Sequence, residues 1–395
     1  MKILVISHMF PNPANSTNGI FVYHRVKELL KSGIELKVVN PQPKCFPFLK
    51  NISRYKKYCS ISKKYEFDNI EVLSPKYTYL PVKYFRNRIG FLMSKAVSKY
   101  MDSLRTENFS LIHAHGAVDG GLVAMDLSKK LGIPYIVTAH GSDINYSIGD
   151  KIKEKYLFHV LSNAKKVIFV SGALKERARE LTKYEEESAV VIPNGVDTNI
   201  FKLMDKSVLR EKLNIPPHSK VISFVGNLLP VKGAHLLPAI FKGVKEKIPY
   251  ALLYIVGDGP LENKIKEEFL GFNISKDVVF VGRVPQTEVA KYMNLSDALI
   301  LPSLNEGQGA VINESLACGT PVVGSNVGGI PEALGGQQYG KIFPKGNIDK
   351  AIEAVLEVLS QEWDRKKLNE KASKFSWRNT VIQEIKVYKE VINNV

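Results

Sequence analysis

The feature that most constrains this chain is a repeated alternation. Short apolar, β-branched runs, each followed by a helix-like or polar stretch, recur from the first residues to beyond position 320. A run at 3–6 is followed by helical periodicity near 22–31, by Gly33 as a stop and by a second run at 35–39. Such a pattern predicts a parallel strand–helix–strand unit, since parallel neighbours need a crossover of about a dozen residues. Runs at 111–114, 135–138 and 166–170 extend the same sheet, with an irregular basic stretch before them.

Near 190–197 a strand ends in Pro193-Asn194-Gly195, a turn signature, and a polar stretch precedes the next apolar run at 221–225. The alternation then resumes at 252–256, 278–281, 298–301 and 321–323. At 395 residues the chain exceeds the roughly 250 to 300 at which single cores stop growing. The pattern therefore predicts an α/β protein of two Rossmann-like, doubly wound parallel-sheet domains facing each other across a cleft. The boundaries read as 1–197, 198–375 and a C-terminal helix over 376–395 that packs back on the first domain.

Composition removes several alternatives. With 45% apolar and 24% charged residues the chain is globular. No apolar stretch approaches the roughly 18 residues of a membrane span, and the opening run is short for a signal peptide, so a cytoplasmic protein is expected. Its three cysteines are odd in number and form no CxxC pair, which predicts reduced thiols and no zinc site. The net charge of +16 is uneven, with +12 in residues 1–200 and +10 in 44–105 alone. A local basic patch is expected there rather than a uniformly basic protein.

The most informative stretch is Pro302-Ser303-Leu304-Asn305-Glu306-Gly307-Gln308-Gly309, followed by a helical run from Ala310 with Gly319 as its stop. An apolar strand here feeds a glycine-interrupted loop that opens a helix, whose free N–H groups and positive dipole end suit a diphosphate. Glu306 falls in the loop and Glu314 on the helix, two carboxylates suited to sugar or ribose hydroxyls. A solvated helix face yields the same spacing, so the pair alone decides nothing.

With Glu314-Ser315-Leu316-Ala317-Cys318-Gly319-Thr320-Pro321 and Gly328-Gly329-Ile330-Pro331-Glu332 beside that pair, the chain resembles the retaining glycosyltransferases of family four, which have the B-type fold. The resemblance extends to Gly226–Gly233, Gly257-Asp258-Gly259-Pro260-Leu261 and Val281-Gly282-Arg283-Val284. It implies that Glu306 binds hydroxyls of a donor sugar, that Glu314 binds the ribose and that Gly307, Gly309, Ala310 and Val311 meet sugar and phosphate. Contacts to the nucleotide base are expected near Arg283 and Val284. Where that family carries Arg and Lys in a Gly-Arg-x-x-x-x-Lys-Gly loop, this chain has Asn227 and Lys232. Asn offers phosphate only neutral hydrogen bonds, so Lys232 should carry more of the charge.

In the first half, Gly19 matches a glycine loop that the family keeps over the donor phosphates, and Asn18 stands where a second glycine is common. His113, His115 and His140 fall at strand ends, where open α/β sheets place ligands. His140, in Thr138-Ala139-His140-Gly141-Ser142-Asp143, matches the family's catalytic histidine, whereas His113 reads better as a core residue. No carboxylate or cysteine cluster joins the histidines, and no Asp-x-Asp occurs, so no metal and no cofactor is expected. The resemblance implies same-face transfer from a nucleotide sugar, with Lys232 and helix N-termini meeting the diphosphate charge.

The basic segment interleaves Lys44, Lys50, Arg54, Lys56, Lys57, Lys63, Lys64, Lys83, Arg86 and Arg88 with aromatics from Phe46 to Phe91. It reads either as a solvated face or as a surface for anionic membrane, which would bring the enzyme to a lipid-linked or polysaccharide-precursor acceptor. Nucleic acid is not expected as a partner, since no helix-turn-helix, finger or RNP-like run is present. A nucleotide-sugar epimerase would share the fold. A dinucleotide enzyme is disfavoured because the first strand lacks the Gly-x-Gly-x-x-Gly turn.

Overall fold

In a computed structural model of the chain, residues 1–46, 56–79, 88–145, 147–182 and 186–394 are described. They divide into two compact units, Met1–Pro193 with Trp377–Val395, and Asn194–Ser376. Each unit is a twisted sheet with helices on both faces.

The first unit contains β1 (Lys2–Ser7), β2 (Glu35–Val39), β3 (Gln42–Pro43), β4 (Lys64–Phe67), β5 (Ile70–Leu73), β6 (Lys76–Tyr77), β7 (Leu111–His115), β8 (Tyr135–Ala139), β9 (Lys166–Phe169) and β10 (Ala189–Val191). Eight of them form one sheet in the order β10-β9-β8-β7-β1-β2-β5-β4, and β3 pairs with β6 apart from it. The continuous apolar run of β1 follows from burial on both faces. Leu4 and Ile6 join the core with Ile112, Ala114 and Val137, while Ile3 and Val5 join the opposite core with Leu111, Ile136 and Ile168. That second core is covered by the helix Ile20–Lys31 (Val22, Val26, Leu29) and by the C-terminal helix Trp377–Asn393 (Val381, Val387, Tyr388, Val391).

Two expectations for this unit are corrected. The stretch read as irregular contains an antiparallel hairpin, β4 with β5, which makes the sheet mixed at its edge. Its turn, Asp68-Asn69, has φ of 49° and 60°, the two-residue geometry that joins twisted strands, without the Gly that usually advertises it. Cys45 and Cys59 are joined by a disulfide across 14 residues, against the reading of reduced thiols; Cys318 is free and buried. Parity cannot reveal which parts of a chain return to each other.

The second unit contains β11 (Lys220–Val225), β12 (Ala251–Val256), β13 (Val278–Gly282), β14 (Ala298–Leu301), β15 (Val322–Ser325) and β16 (Gly340–Phe343), all parallel, in the order β13-β12-β11-β14-β15-β16. Its core again alternates between faces, with Ile222, Phe224 and Ile300 on one side and Leu299, Leu301, Ile312 and Leu316 on the other. Among the described residues no helix is long and apolar enough to cross a membrane.

The strand orders locate the ligand crevices. Successive connections run outward in opposite directions from β1 and β7 in the first unit, and from β11 and β14 in the second. At such a reversal the loops beyond the strand C-termini part, leaving a crevice.

Candidate active site

In the second unit the two loops that leave β11 and β14 carry the residues singled out from the sequence. After Val225 the chain runs through Asn227 to a single 3₁₀ turn, Pro230–Lys232, closed by Gly233 at φ 66°. A Cβ at Gly233 would collide with the Pro302 carbonyl oxygen, so only glycine lets this loop lie against the end of β14. The amides of Leu304 and Asn305 donate to the Val231 carbonyl at 2.8 and 3.3 Å, tying the loops together. As a result Lys232 Nζ donates to Glu306 Oε2 at 2.6 Å, and Ser303 Oγ lies 3.5 Å from the same oxygen. The cation expected for phosphate and the carboxylate expected for sugar are thus ion-paired.

Beyond Glu306 the loop is anchored by Gln308, whose side chain accepts from the Asn194 amide at 2.8 Å and donates to its carbonyl at 3.2 Å. Gly309 then caps the helix Ala310–Ala317 in a left-handed conformation. The first-turn amides of Ala310 and Val311 have no intrahelical acceptor, as at every helix start, and they carry the positive dipole end. Glu314 lies in the second turn. It is half-buried, its carboxyl makes no hydrogen bond among the described residues, and burial pushes that carboxyl up to about 7.

Arg283 and Asn227 converge as well. Arg283 ion-pairs with Asp258 at 2.7 Å, and its Nη2 donates to Asn227 Oδ1 at 3.3 Å. The position where related loops carry a guanidinium therefore has one beside it, supplied by a different strand and shared with a carboxylate. Val284, next in the chain, is half-buried.

In the first unit His140 follows β8 directly. Its backbone amide and those of Ala117, Gly141 and Ile144 all donate to the Asp143 carboxylate, fixing the turn. The Phe21 ring lies 4.6 Å from the His140 ring, so the loop that ends at Gly19 and the histidine belong to one site. Gly19, at φ 60°, caps the helix Ile20–Lys31, and a Cβ there would meet the Met9 carbonyl. Its need for glycine is met within the unit. His113 is fully buried between Tyr388 and Thr138, at 2.7 Å from each hydroxyl, a core residue as read. Around the β1/β7 reversal lies a cavity of about 150 Å³ lined by His8, Met9, Gly116, Asp119, Asp143 and Lys153. Burial raises the Asp119 carboxyl, while charge at His8 and Lys153 opposes that rise.

Asp119, His8 and Lys153 escaped the sequence reading, and His115 entered it only as one of three histidines at strand ends. A signal existed for His8 and Asp119, since both follow strands whose ends are ligand positions, but a single charged residue after a strand is common. Among the described residues no three His, Cys, Asp or Glu side chains are gathered as metal ligands. A cavity of about 330 Å³ elsewhere in the second unit, at the opposite strand ends, contains Lys206 and Arg365. Lys206 is bound to Asp297 at 2.6 Å, and Arg365 donates to the carbonyls of Met204 and Cys318, so those cations are committed to structure.

Two family models cover most of the chain, "Glycosyltransferase Family 4" over residues 19–200 and "Glycosyl transferases group 1" over 205–375. TuaC of Bacillus subtilis, a glycosyltransferase assigned to teichuronic acid biosynthesis, is 30% identical over 365 residues, 91% of this chain and 89% of TuaC. The chain belongs to glycosyltransferase family 4. This glycosyltransferase is also similar to an Escherichia coli UDP-Gal:α-D-GlcNAc-diphosphoundecaprenol α-1,3-galactosyltransferase, 28% identical over 308 residues and covering 76% and 77% of the two chains. Among solved structures, sucrose-phosphate synthase from Thermosynechococcus elongatus superposes with a TM-score of 0.83 at 21% identity over the full length of both chains. The glycosyltransferase thus has the two-domain B-type fold.

Proposed function

We propose that the enzyme transfers a sugar, with retention of configuration and without a metal ion, from a nucleoside diphosphate sugar bound by the second unit to a hydroxyl of a lipid-linked or polysaccharide-precursor acceptor bound by the first. The observation that carries this reading is the meeting of Lys232 and Glu306 beside the free amides of Ala310 and Val311. One crevice supplies a cation, oriented N–H donors and a hydroxyl-binding carboxylate, the three things a sugar diphosphate requires. Glu314 serves the ribose, and the Arg283–Val284 segment serves the base.

In the reaction the acceptor oxygen attacks the anomeric carbon on the face the diphosphate leaves. The anomeric C–O bond breaks, and the acceptor's proton passes to the departing phosphate oxygen. Lys232 and the helix dipole stabilise the charge on the leaving diphosphate, and the protein's remaining contribution is to position the two substrates. The cavity at His8, Asp119 and Lys153 suits a hydroxylated acceptor, because carboxylate and imidazole bind hydroxyls while Met9 and Ile89 offer apolar faces.

A membrane-bound acceptor is supported by the surface of the first unit. Phe91 and Ile152 are 52% and 48% exposed, Phe91 packs on Tyr156, and Lys95, Lys151 and Lys155 flank them on the same two helices. Of the basic segment, Lys50, Arg54, Lys83 and Arg86 lie outside the described residues. We assign the enzyme to the cytoplasmic face of the membrane, where anionic lipid meets such a patch.

A screen of UDP-, GDP- and ADP-sugars, with and without lipid-linked acceptors and excess EDTA, tests this reading. Transfer that survives EDTA and preserves the anomeric configuration is expected. Epimer formation without an acceptor, or an absolute need for Mn or Mg, would overturn it. Sedimentation with anionic and neutral vesicles at two salt concentrations tests the membrane assignment, which fails if anionic vesicles are ignored at low salt.

A further inference from the structure

Asn227 leaves the loop after β11 without the guanidinium that related loops carry, and the fold brings one to it from another strand. Glycines knit together the loops that follow β11, β12 and β13. The Gly226 amide donates to the Val256 carbonyl at 3.0 Å, and the Gly257 amide donates to the Gly282 carbonyl at 2.8 Å. A Cβ at Gly257 would strike the Gly226 carbonyl, and one at Gly259 would strike the backbone of Leu228, so the loops close up only because those side chains are absent. The Leu228 amide in turn donates to the Asp258 carbonyl at 2.9 Å. Asn227, Asp258 and Arg283 are thereby gathered at the C-terminal rim of three neighbouring strands.

The reach of Arg283 has a direction. β13 is the edge strand, two places from β11, so the contact of Arg283 Nη2 with Asn227 Oδ1 at 3.3 Å bridges roughly 10 Å of the rim. It carries the guanidinium inward, toward the β11/β14 reversal, and onto the loop that bears Lys232 five residues later. Asp258, on the strand between, accepts from Nη2 at 2.7 Å and from Nε at 3.1 Å through its two oxygens. That fork is the geometry in which a guanidinium takes two phosphate oxygens. Both side chains of the pair are about half exposed, and an ion pair so exposed contributes little to stability and can exchange its partner.

We infer that the Arg283 side chain is the second cation of the diphosphate subsite, standing in for the arginine absent at 227. The nucleoside diphosphate takes the fork from Asp258, which turns to solvent, while Asn227 keeps the guanidinium on the Lys232 side of the rim. This assignment rests on the donor site proposed above and deepens it, leaving the main chain at Arg283 and Val284 to the base. A nucleoside diphosphate carries more than one negative charge, and Lys232 meets one of them. Asp258 is then a competitor for the ligand as well as a holder of the cation.

To test this, uridine and UDP, guanosine and GDP, and adenosine and ADP are titrated into the full-length protein by calorimetry, and the diphosphate that binds most tightly is carried through the variants. Arg283→Met should weaken that diphosphate roughly tenfold or more, the loss of a charge-assisted contact, and leave its nucleoside nearly unchanged. Adding Asn227→Arg to Arg283→Met should restore most of the affinity, because a guanidinium returns to the same rim. Asp258→Asn should tighten diphosphate binding by releasing the fork. Equal losses of nucleoside and diphosphate in Arg283→Met would make Arg283 a base contact and overturn the inference, as would wild-type diphosphate affinity in that variant. Lys232→Ala separates this assignment from the reading beneath it. Affinity lost in Lys232→Ala but kept in Arg283→Met refutes the role of Arg283 alone, whereas affinity kept in both refutes the donor site. Melting temperatures near that of wild type show that each variant folds.

Discussion

The two units place their candidate residues at the same point of the same kind of sheet, yet they hold charge in opposite ways. In the first unit the central ion pair is sealed: Arg25 and Glu384 pair with both side chains 0% exposed, and burial holds His115 and His140 well below their usual titration range. In the second unit the ions lie on loops, with Lys232 keeping 29% of its side-chain surface and Arg283 about half. A sealed pair has no alternative partner and can only specify structure. A pair at a loop edge can exchange its partner for a ligand, which is what binding a diphosphate requires.

That contrast is broken or sharpened first at Arg25. Replacing it with Met leaves Glu384 buried without its guanidinium partner and should destabilise the protein by about 3–5 kcal/mol, while Arg25→Met with Glu384→Leu should recover most of the loss. Denaturant unfolding of the single and double variants measures this, and additive losses would mean that the pair is not a unit. Next, Lys232→Ala should weaken nucleoside diphosphate binding by about 1.5–3 kcal/mol and leave nucleoside binding nearly unchanged. Glu306→Gln should strengthen binding of the diphosphate alone, by freeing Lys232, while lowering turnover. Calorimetry with both ligands decides, and equal effects on nucleoside and diphosphate would place Lys232 outside the phosphate site.

Glu314 gives a smaller effect with a defined sign. Its folded-state carboxyl titrates near 7, above the ordinary value of 4.5, so the folded state holds the proton more tightly than the unfolded one. Its contribution is most favourable below pH 4.5 and is lost as pH rises to about 7. Wild type should therefore lose stability relative to Glu314→Gln across that window, and parallel urea midpoints from pH 4.5 to 8 would refute the burial argument. Smallest of all, Asp258→Asn removes an exposed pair and should cost at most about 1 kcal/mol in thermal unfolding. A loss as large as that at Arg25 would erase the distinction between the two regions.

Much of this architecture was legible because it is local. The parallel strands declare themselves as apolar runs buried on both faces, and the helix after Gly309 by its glycines at both ends. The pairing of Lys232 with Glu306 was not legible, since it depends on Gly233 packing against Pro302, 69 positions away. Nor was the hairpin at Asp68-Asn69, although Lys64–Phe67 alternates between exposed and half-buried positions. Arg25 and Glu384 sit among apolar residues in their helices, which hints at burial, but only the fold matches two charges 359 residues apart. His115 read only as one of three strand-end histidines; what separates it from His113 is which neighbour each ring nitrogen reaches.

The return of the C-terminal helix to the first unit has a consequence for synthesis. The ribosome delivers residues 1–193 long before residues 377–393, so the part of the first unit's core that the C-terminal helix covers, with Arg25 beside it, must wait uncovered while the whole second unit is made. Domains fold as they emerge, and uncovered apolar surface on a waiting chain invites aggregation. The second unit, continuous in sequence, can therefore mature before the first is sealed. The first unit would then be sealed by the docking of a helix whose Glu384 meets a cation made 359 residues earlier.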